Sequence, residues 1–273
     1  MAEIIIKPIK GWIRIDFKEL WRYRELFYIF TWRDIKVRYK QTVIGIAWAI
    51  LQPFLLMVVF SVFFGSFAKI PSDNIPYPIF VFSGLIFWNY FSTALSGASN
   101  SLVDNENIIK KIYFPRLILP LSTTITPIVD FIIAFVILLL MLVYYRLSIH
   151  PYIILLLPIL LIITLLTASG IGTFLSAINI KYRDIRYALP FFVQILLFVT
   201  PVIYPVSMVS SKYHWLLLLN PMTGIIETAR ASMLGTKPID PSLLLISAAF
   251  AGLFFLFGIY YFRKTERIFA DVA

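Results

Sequence analysis

The chain has 273 residues, 60% of them apolar, with no cysteine and with 24 Lys and Arg against 14 Asp and Glu. So apolar a composition fits helices surrounded by lipid on every face, and the absence of cysteine excludes a disulfide framework or a cysteine metal site. The formal charge of +10 would suit a nucleic-acid binder, but the basic residues cluster at the ends of apolar stretches and leave no basic soluble domain for that role.

Apolar stretches long enough to cross a bilayer, about 20 residues each, lie near 43–68, 77–101, 118–145, 151–179, 188–209 and 241–262. With both termini on one side, that side holds 19 of the 24 Lys and Arg. Flanking basic residues resist translocation, so the rich side is predicted to be cytoplasmic. The expectation is an all-α membrane protein of six transmembrane helices at 43–262, with an N-terminal amphipathic interface segment at 1–42 and a short cytoplasmic tail at 263–273.

Residues 1–42 carry charges too often for the unbroken apolar core of a signal peptide. Arg14, Lys18, Arg22 and Glu25 recur at helical spacing, and Phe17, Leu20, Trp21 and Tyr28 occupy other parts of the circumference. Asp16 with Glu19 reads as a capping box, and Thr31 with Asp34 repeats the signal, which predicts a break near residue 30. Aromatic residues beside Lys and Arg fit a helix lying in the membrane interface. A lipid anchor and a contact with a cytoplasmic partner both fit that helix.

Span one holds Gly45, Trp48 and Gln52-Pro53; a proline there predicts a kink, tolerated where neighbours satisfy the freed carbonyl. Span two ends in Ser92, Thr93, Ser96, Gly97, Ser99, Asn100 and Ser101. Such a run serves close helix packing or lines a water-accessible path. The following segment, 104–116, is short and charged, with Ile108, Ile109 and Ile112 on one helical face. A lone short helix is marginal in water, so something is expected to dock on it.

Asp130 stands midway along span three, where an ionised carboxylate costs about 3 kcal/mol on insertion scales. It is read either as a helix-packing carboxylate bonded to hydroxyls such as Thr124 or Thr126, or as a proton-relay acid. No second central acid supports the relay.

Span five contains Pro190, Pro201 and Pro205 and is expected to bend. Residues 210–240 are too long for a structureless loop. Asn220 reads as an N-cap, Pro221 as the first helical residue and Gly235 as the stop, with Glu227 and Arg230 placed to pair. Short helices, re-entrant or on the outer surface, are expected between spans five and six. His150 and His214 stand apart and form no metal-ligand cluster. No G-x-x-x-x-G-K-[ST] phosphate loop, H-E-x-x-H or G-x-S-x-G sequence occurs.

Three further segments resemble one family. The stretch Phe30-Thr-Trp-Arg-Asp-Ile-Lys-Val-Arg-Tyr-Lys-Gln-Thr-Val-Ile-Gly45, continued by Trp48 and Gln52-Pro53, resembles the entry to the first span of polysaccharide-exporting ABC-2 permeases. Asn107 to Arg116 is similar to their first cytoplasmic loop. Lys181 to Arg186, Pro190-Phe191 and Thr200 to Pro205 resemble their fifth-span region, with Asn220-Pro221 following in order. The nearest likeness is to the membrane subunit of O-antigen exporters, with capsule and teichoic-acid permeases also similar.

The resemblance implies a bacterial inner-membrane transport subunit, itself not an enzyme and without a cofactor of its own. ATP and Mg would bind a separate ATPase subunit, present in two copies beside a homodimer of this chain. Glu106, Asn107, Lys110, Lys111 and Arg116 would couple it to that ATPase. The cargo would be a lipid-linked polysaccharide moving from cytoplasm to periplasm. Aromatic rings suit the C–H faces of sugars, much as stacking platforms suit bases, which makes Tyr39, Trp48, Phe54, Trp88, Tyr90, Phe91 and Tyr204 candidates for its path. Interfacial anchoring explains the same residues. The alternatives are a secondary transporter or channel coupled through Asp130, and a membrane enzyme or flippase acting on a lipid-linked sugar.

Overall fold

The computed structural model describes residues 17–40, 45–147, 152–235, 238–266 and 269, and these are helical except for connecting turns. Asp16 and His150 lie outside the described residues. The chain opens with α1 (Phe17–Arg22) and α2 (Arg24–Lys40). The break falls at Tyr23, not near residue 30. Thr31 does not cap a new helix, because its hydroxyl donates back to the carbonyl of Phe27 at 3.0 Å, an i to i−4 bond compatible with an unbroken helix.

The first span, α3 (Gly45–Phe60), widens into a π turn at Ser61–Phe67. The loop that follows reverses direction through positive φ at Lys69, Asp73 and Asn74. Next come α4 (Tyr77–Asp104) and the short α5 (Glu106–Lys111). Span three is divided: α6 (Ile118–Ile125) stops before Pro127, which lacks an amide hydrogen, and α7 (Ile128–Tyr144) restarts beyond it. After α8 (Ile153–Asn179) comes α9 (Ile185–Val199).

Among the described residues, five helical segments are long and apolar enough to cross a membrane: Ala47–Phe67, Tyr77–Asp104, Ile118–Tyr144, Ile153–Asn179 and Pro241–Thr265. The fifth predicted span is a correction. Instead of filling 188–209, α9 stops at Val199 after 15 residues, a rise of about 22 Å against the roughly 30 Å of a hydrocarbon core. Thr200 turns extended just before Pro201, as the residue preceding a proline prefers.

The chain then runs through irregular backbone into α10 (His214–Leu218) and α11 (Pro221–Leu234), and closes with α12 (Pro241–Thr265). The caps of α11 match the sequence signals. Asn220 accepts from the amide of Met222 at 3.0 Å, Pro221 is the first helical residue, and Gly235 takes the left-handed conformation at φ 64°.

Helix α4 is the hub, buried along most of its length among α3, α6, α7, α8 and α11. Its small, polar half serves packing: Ser101 meets Ser176 at 3.3 Å, and Asn179 donates to the carbonyl of Ser99 at 3.0 Å. A second apolar cluster, around Phe30, Leu102, Ile109, Phe114 and Phe262, gathers the terminal helices and the α4–α6 connection at one end of the molecule. That basic end is opposite the 68–76 loop and α11.

Candidate functional site

Two helices of this fold present one face each to a common cavity. Ile86, Asn89, Tyr90 and Thr93 of α4, and Pro127, Asp130, Phe131 and Ala134, Pro127 immediately preceding α7 and the others within it, both follow i, i+3, i+4, i+7 spacing, which stacks side chains on a single stripe. Trp48, Ala49, Gln52 and Pro53 of α3 form a third wall, and Arg38 arrives from the end of α2. The enclosed volume is about 280 Å³.

The break at Pro127 gives Asp130 its setting. It places the carboxylate in the first turn of α7, where the helix dipole favours negative charge. Arg38 Nη2 sits 2.8 Å from Asp130 Oδ2, and the hydroxyl of Tyr39 donates to Oδ1. Asp130 is therefore held by a cation and a phenol from α2, not by Thr124 or Thr126. Thr124 turns its hydroxyl to the carbonyl of Leu121 at 2.8 Å instead. Arg38 was not singled out from sequence, although an intramembrane acid calls for a cation and Arg38 lies just before the first span. Gln52, Asn89 and Thr93 escaped as members of the cavity because polar residues scattered along apolar helices carry no motif.

The candidate aromatic residues divide. Trp48 is 54% exposed and Tyr90 is buried, and both line the cavity; Tyr39 joins them through Asp130. The Tyr90 hydroxyl donates to the carbonyl of Thr124 at 3.3 Å, and its ring meets Phe131 edge-on. Trp88 and Phe91 lie in the core, 5.5 Å apart, and do not reach the cavity. Phe54 points outward from α3 without joining it. Tyr204 lies in the irregular segment after α9, donating to the carbonyl of Val199 at 2.8 Å.

The charged segment after α4 forms a second cluster. Asn107, Lys110 and Lys111 are exposed on α5, with Ile112 and Tyr113 beyond them. Ile109 instead packs into this chain's own apolar cluster. Glu106 pairs with Lys110 at 2.7 Å and with Arg183 at 3.5 Å, while Arg186 approaches Asp104 at 3.9 Å. The hydrogen bond from Lys110, then its charge, with a smaller effect of Arg183, hold the Glu106 carboxyl below its usual range. Arg116 is separate from this surface: it donates to the carbonyl of Glu266 at 2.7 Å, fastening the segment to the end of α12.

Helix α2 touches both places. Arg33 donates to Asn105 at 3.0 Å and Phe30 packs on Phe114, while Arg38 and Tyr39 hold Asp130. A single helix thus joins the charged end to the cavity wall.

A family model described as ABC-2 type transporter matches residues 25–234. An O-antigen export system permease protein RfbA from Myxococcus xanthus is 29% identical over 85% of this chain and 89% of its own length. One of the same name from Klebsiella pneumoniae is 25% identical over 91% of this chain and 95% of its own. The polysialic acid transport protein KpsM of Escherichia coli is 24% identical over 86% and 91%. The matched region contains both α5 and every wall of the cavity, and the chain belongs to the membrane family of ABC-2 type transporters.

Proposed function

We propose that this chain is the membrane subunit of an ABC exporter that carries a lipid-linked polysaccharide from cytoplasm to periplasm. The observation that carries the reading is the cavity joining α2, α3, α4 and α7. It offers three aromatic rings, Trp48, Tyr90 and Phe131, with the amides of Gln52 and Asn89 and the hydroxyl of Thr93. Aromatic faces suit the C–H surfaces of pyranose rings, and amides and hydroxyls exchange hydrogen bonds with sugar hydroxyls in either direction. The printed names of the relatives, O-antigen export permease and polysialic acid transport protein, agree with such a cargo.

The basic end faces the cytoplasm, in keeping with the charge bias of the sequence. The exposed residues of α5 with Ile112 and Tyr113 receive a separate ATPase, which binds ATP and Mg. Two copies of this chain part along a shared seam to pass a polymer that one copy alone has little room to enclose. Asp130 serves packing in this reading, since the Arg38 guanidinium 2.8 Å away balances its charge.

A mild-detergent pull-down of tagged chain with mass spectrometry tests the proposal. A stoichiometric protein carrying a phosphate-binding loop is expected. Recovery of the chain alone under several gentle conditions would remove the exporter reading and return attention to Asp130 as a coupling site.

A further inference from the structure

The cavity between α2, α3, α4 and α7 is polar without carrying a net charge. Among the described residues that line it only two are charged, Arg38 and Asp130, and they meet at 2.8 Å. Their charges cancel. The other polar side chains of the lining, Gln52, Asn89, Tyr90 and Thr93, are amides and hydroxyls. Lys36 and Lys40 of α2, and Lys110 and Lys111 of α5, are exposed and stand outside the walls. The basic character of this end of the molecule therefore does not extend into the cavity.

Cancellation alone would still let a charged ligand borrow one partner, but both are committed. Asp130 Oδ2 faces the Arg38 guanidinium and Oδ1 accepts from the Tyr39 hydroxyl, so a cationic sugar finds a donor already on each oxygen. An acidic sugar would have to draw the guanidinium from a carboxylate in contact with it. A charge that leaves water for a partly apolar cavity loses hydration that only a partner charge restores. An unmet charge therefore selects against such cargo, with no contact needed to favour the right one. An uncharged, hydroxylated sugar loses far less, because amides and hydroxyls replace its water bonds in either direction. A second copy of the chain brings the same pair and adds no net charge to a path shared between the two.

We infer that the polysaccharide passed by this cavity is built of uncharged sugars, and that the Arg38–Asp130 pair sets this selectivity by withholding each charge from the cargo. The inference rests on the exporter reading, in which the cavity is part of the sugar path. It concerns the repeating sugars, not the end that carries the lipid.

The chain has no cysteine, so Ala49→Cys on the α3 wall supplies a single reporter. Its reaction rates in the purified full-length chain are measured with a trimethylammonium and a sulfonate methanethiosulfonate of similar size. Their ratio, divided by the same ratio for free cysteine, cancels accessibility and thiol ionisation and reports the local potential. A normalised ratio near unity is expected. Asp130→Asn is expected to shift it several-fold toward the sulfonate, and Arg38→Gln several-fold toward the trimethylammonium reagent. A native ratio displaced several-fold either way, or one that Asp130→Asn leaves unmoved, would overturn the inference. The native ratio needs no change to the pair, so it stands even where a variant folds poorly. Protection from uncharged N-ethylmaleimide then tests the cargo. Maltoheptaose is expected to slow the reaction several-fold, and oligogalacturonate of the same length is expected not to. Slowing by oligogalacturonate would overturn the selectivity and leave the sugar path intact. Slowing by neither would overturn the selectivity together with the sugar path on which it rests.

Discussion

Arg38 and Asp130 face each other at 2.8 Å across the junction of α2 and α7, with the adjacent Tyr39 hydroxyl on the other carboxylate oxygen. Two consecutive residues of one helix therefore grip both oxygens of a single acid, which fixes the rotation of α2 as well as its position. Because α2 also holds Asn105 through Arg33, movement of the charged segment after α4 has a direct mechanical route to the cavity.

The Arg38–Asp130 pair is expected to be worth about 1 kcal/mol, since both side chains retain solvent contact and exposure screens such pairs. Asp130→Asn keeps an acceptor for Tyr39 and loses only the charge, so it should be largely tolerated in folding. Arg38→Met leaves the carboxylate unbalanced and should be the more damaging change. Thermal unfolding of both single variants and the double variant in detergent gives the coupling energy directly. Independent, additive effects would show that the pair contributes nothing.

Close approach of α8 and α12 makes a sharper prediction. A methyl built on Gly258 would lie 2.0 Å from the Gly170 carbonyl oxygen, and one on Gly170 would lie 2.5 Å from the amide nitrogen of Phe255. Both clashes are with backbone, which cannot rotate away. Either alanine substitution must separate the two helices, at an expected cost of about 1–3 kcal/mol or more. Gly252→Ala, with nothing within 4 Å of the added carbon, is the matched control and should not lower the melting temperature, since alanine is the better helix former.

Much of this fold was readable because lipid imposes strong rules. Five of the long apolar stretches correspond to helices of spanning length, and the Asn220, Pro221 and Gly235 signals bound α11 as expected. What failed was governed by local competition or by distant partners. Thr31 looks like a cap by spacing, yet its hydroxyl is satisfied inside a continuous helix. The fifth apolar stretch ends early because Pro201 redirects the residue before it. The cavity was legible only in fragments: Trp48 and Tyr90 were recognisable as aromatic residues, whereas Trp88 and Phe91, equally aromatic, turn into the core. Which side of a lipid-embedded helix faces protein is decided by its neighbours, and apolarity on every face erases the periodic signal that would reveal it.

Trp48 and Trp88 consequently separate transport from stability. Trp88 is 4% exposed and packs on Phe91, so Trp88→Ala should cost about 3–5 kcal/mol and reduce the amount of folded protein in the membrane. Trp48, 54% exposed at the cavity, should melt normally as alanine while export of polysaccharide to the cell surface falls. Surface polysaccharide normalised to folded chain distinguishes the two. Normal export by Trp48→Ala would remove this ring from the path.

Acid should weaken the tie between α5 and the start of α9. Glu106 has its carboxyl held below the usual range, first by the Lys110 hydrogen bond and then by the charges of Lys110 and Arg183. A carboxyl whose folded value is depressed stabilises the fold fully above its unfolded value, near 4.3, and loses that contribution as pH falls through the folded value. Glu106→Gln cannot titrate and lacks the charge at every pH. The difference in melting temperature between the native chain and Glu106→Gln should therefore be constant near neutrality and shrink on acidification below about pH 4.3. A difference that grew on acidification would contradict the sign of the linkage, and one that stayed constant would mean that the Lys110 and Arg183 contacts do not act through the charge of Glu106.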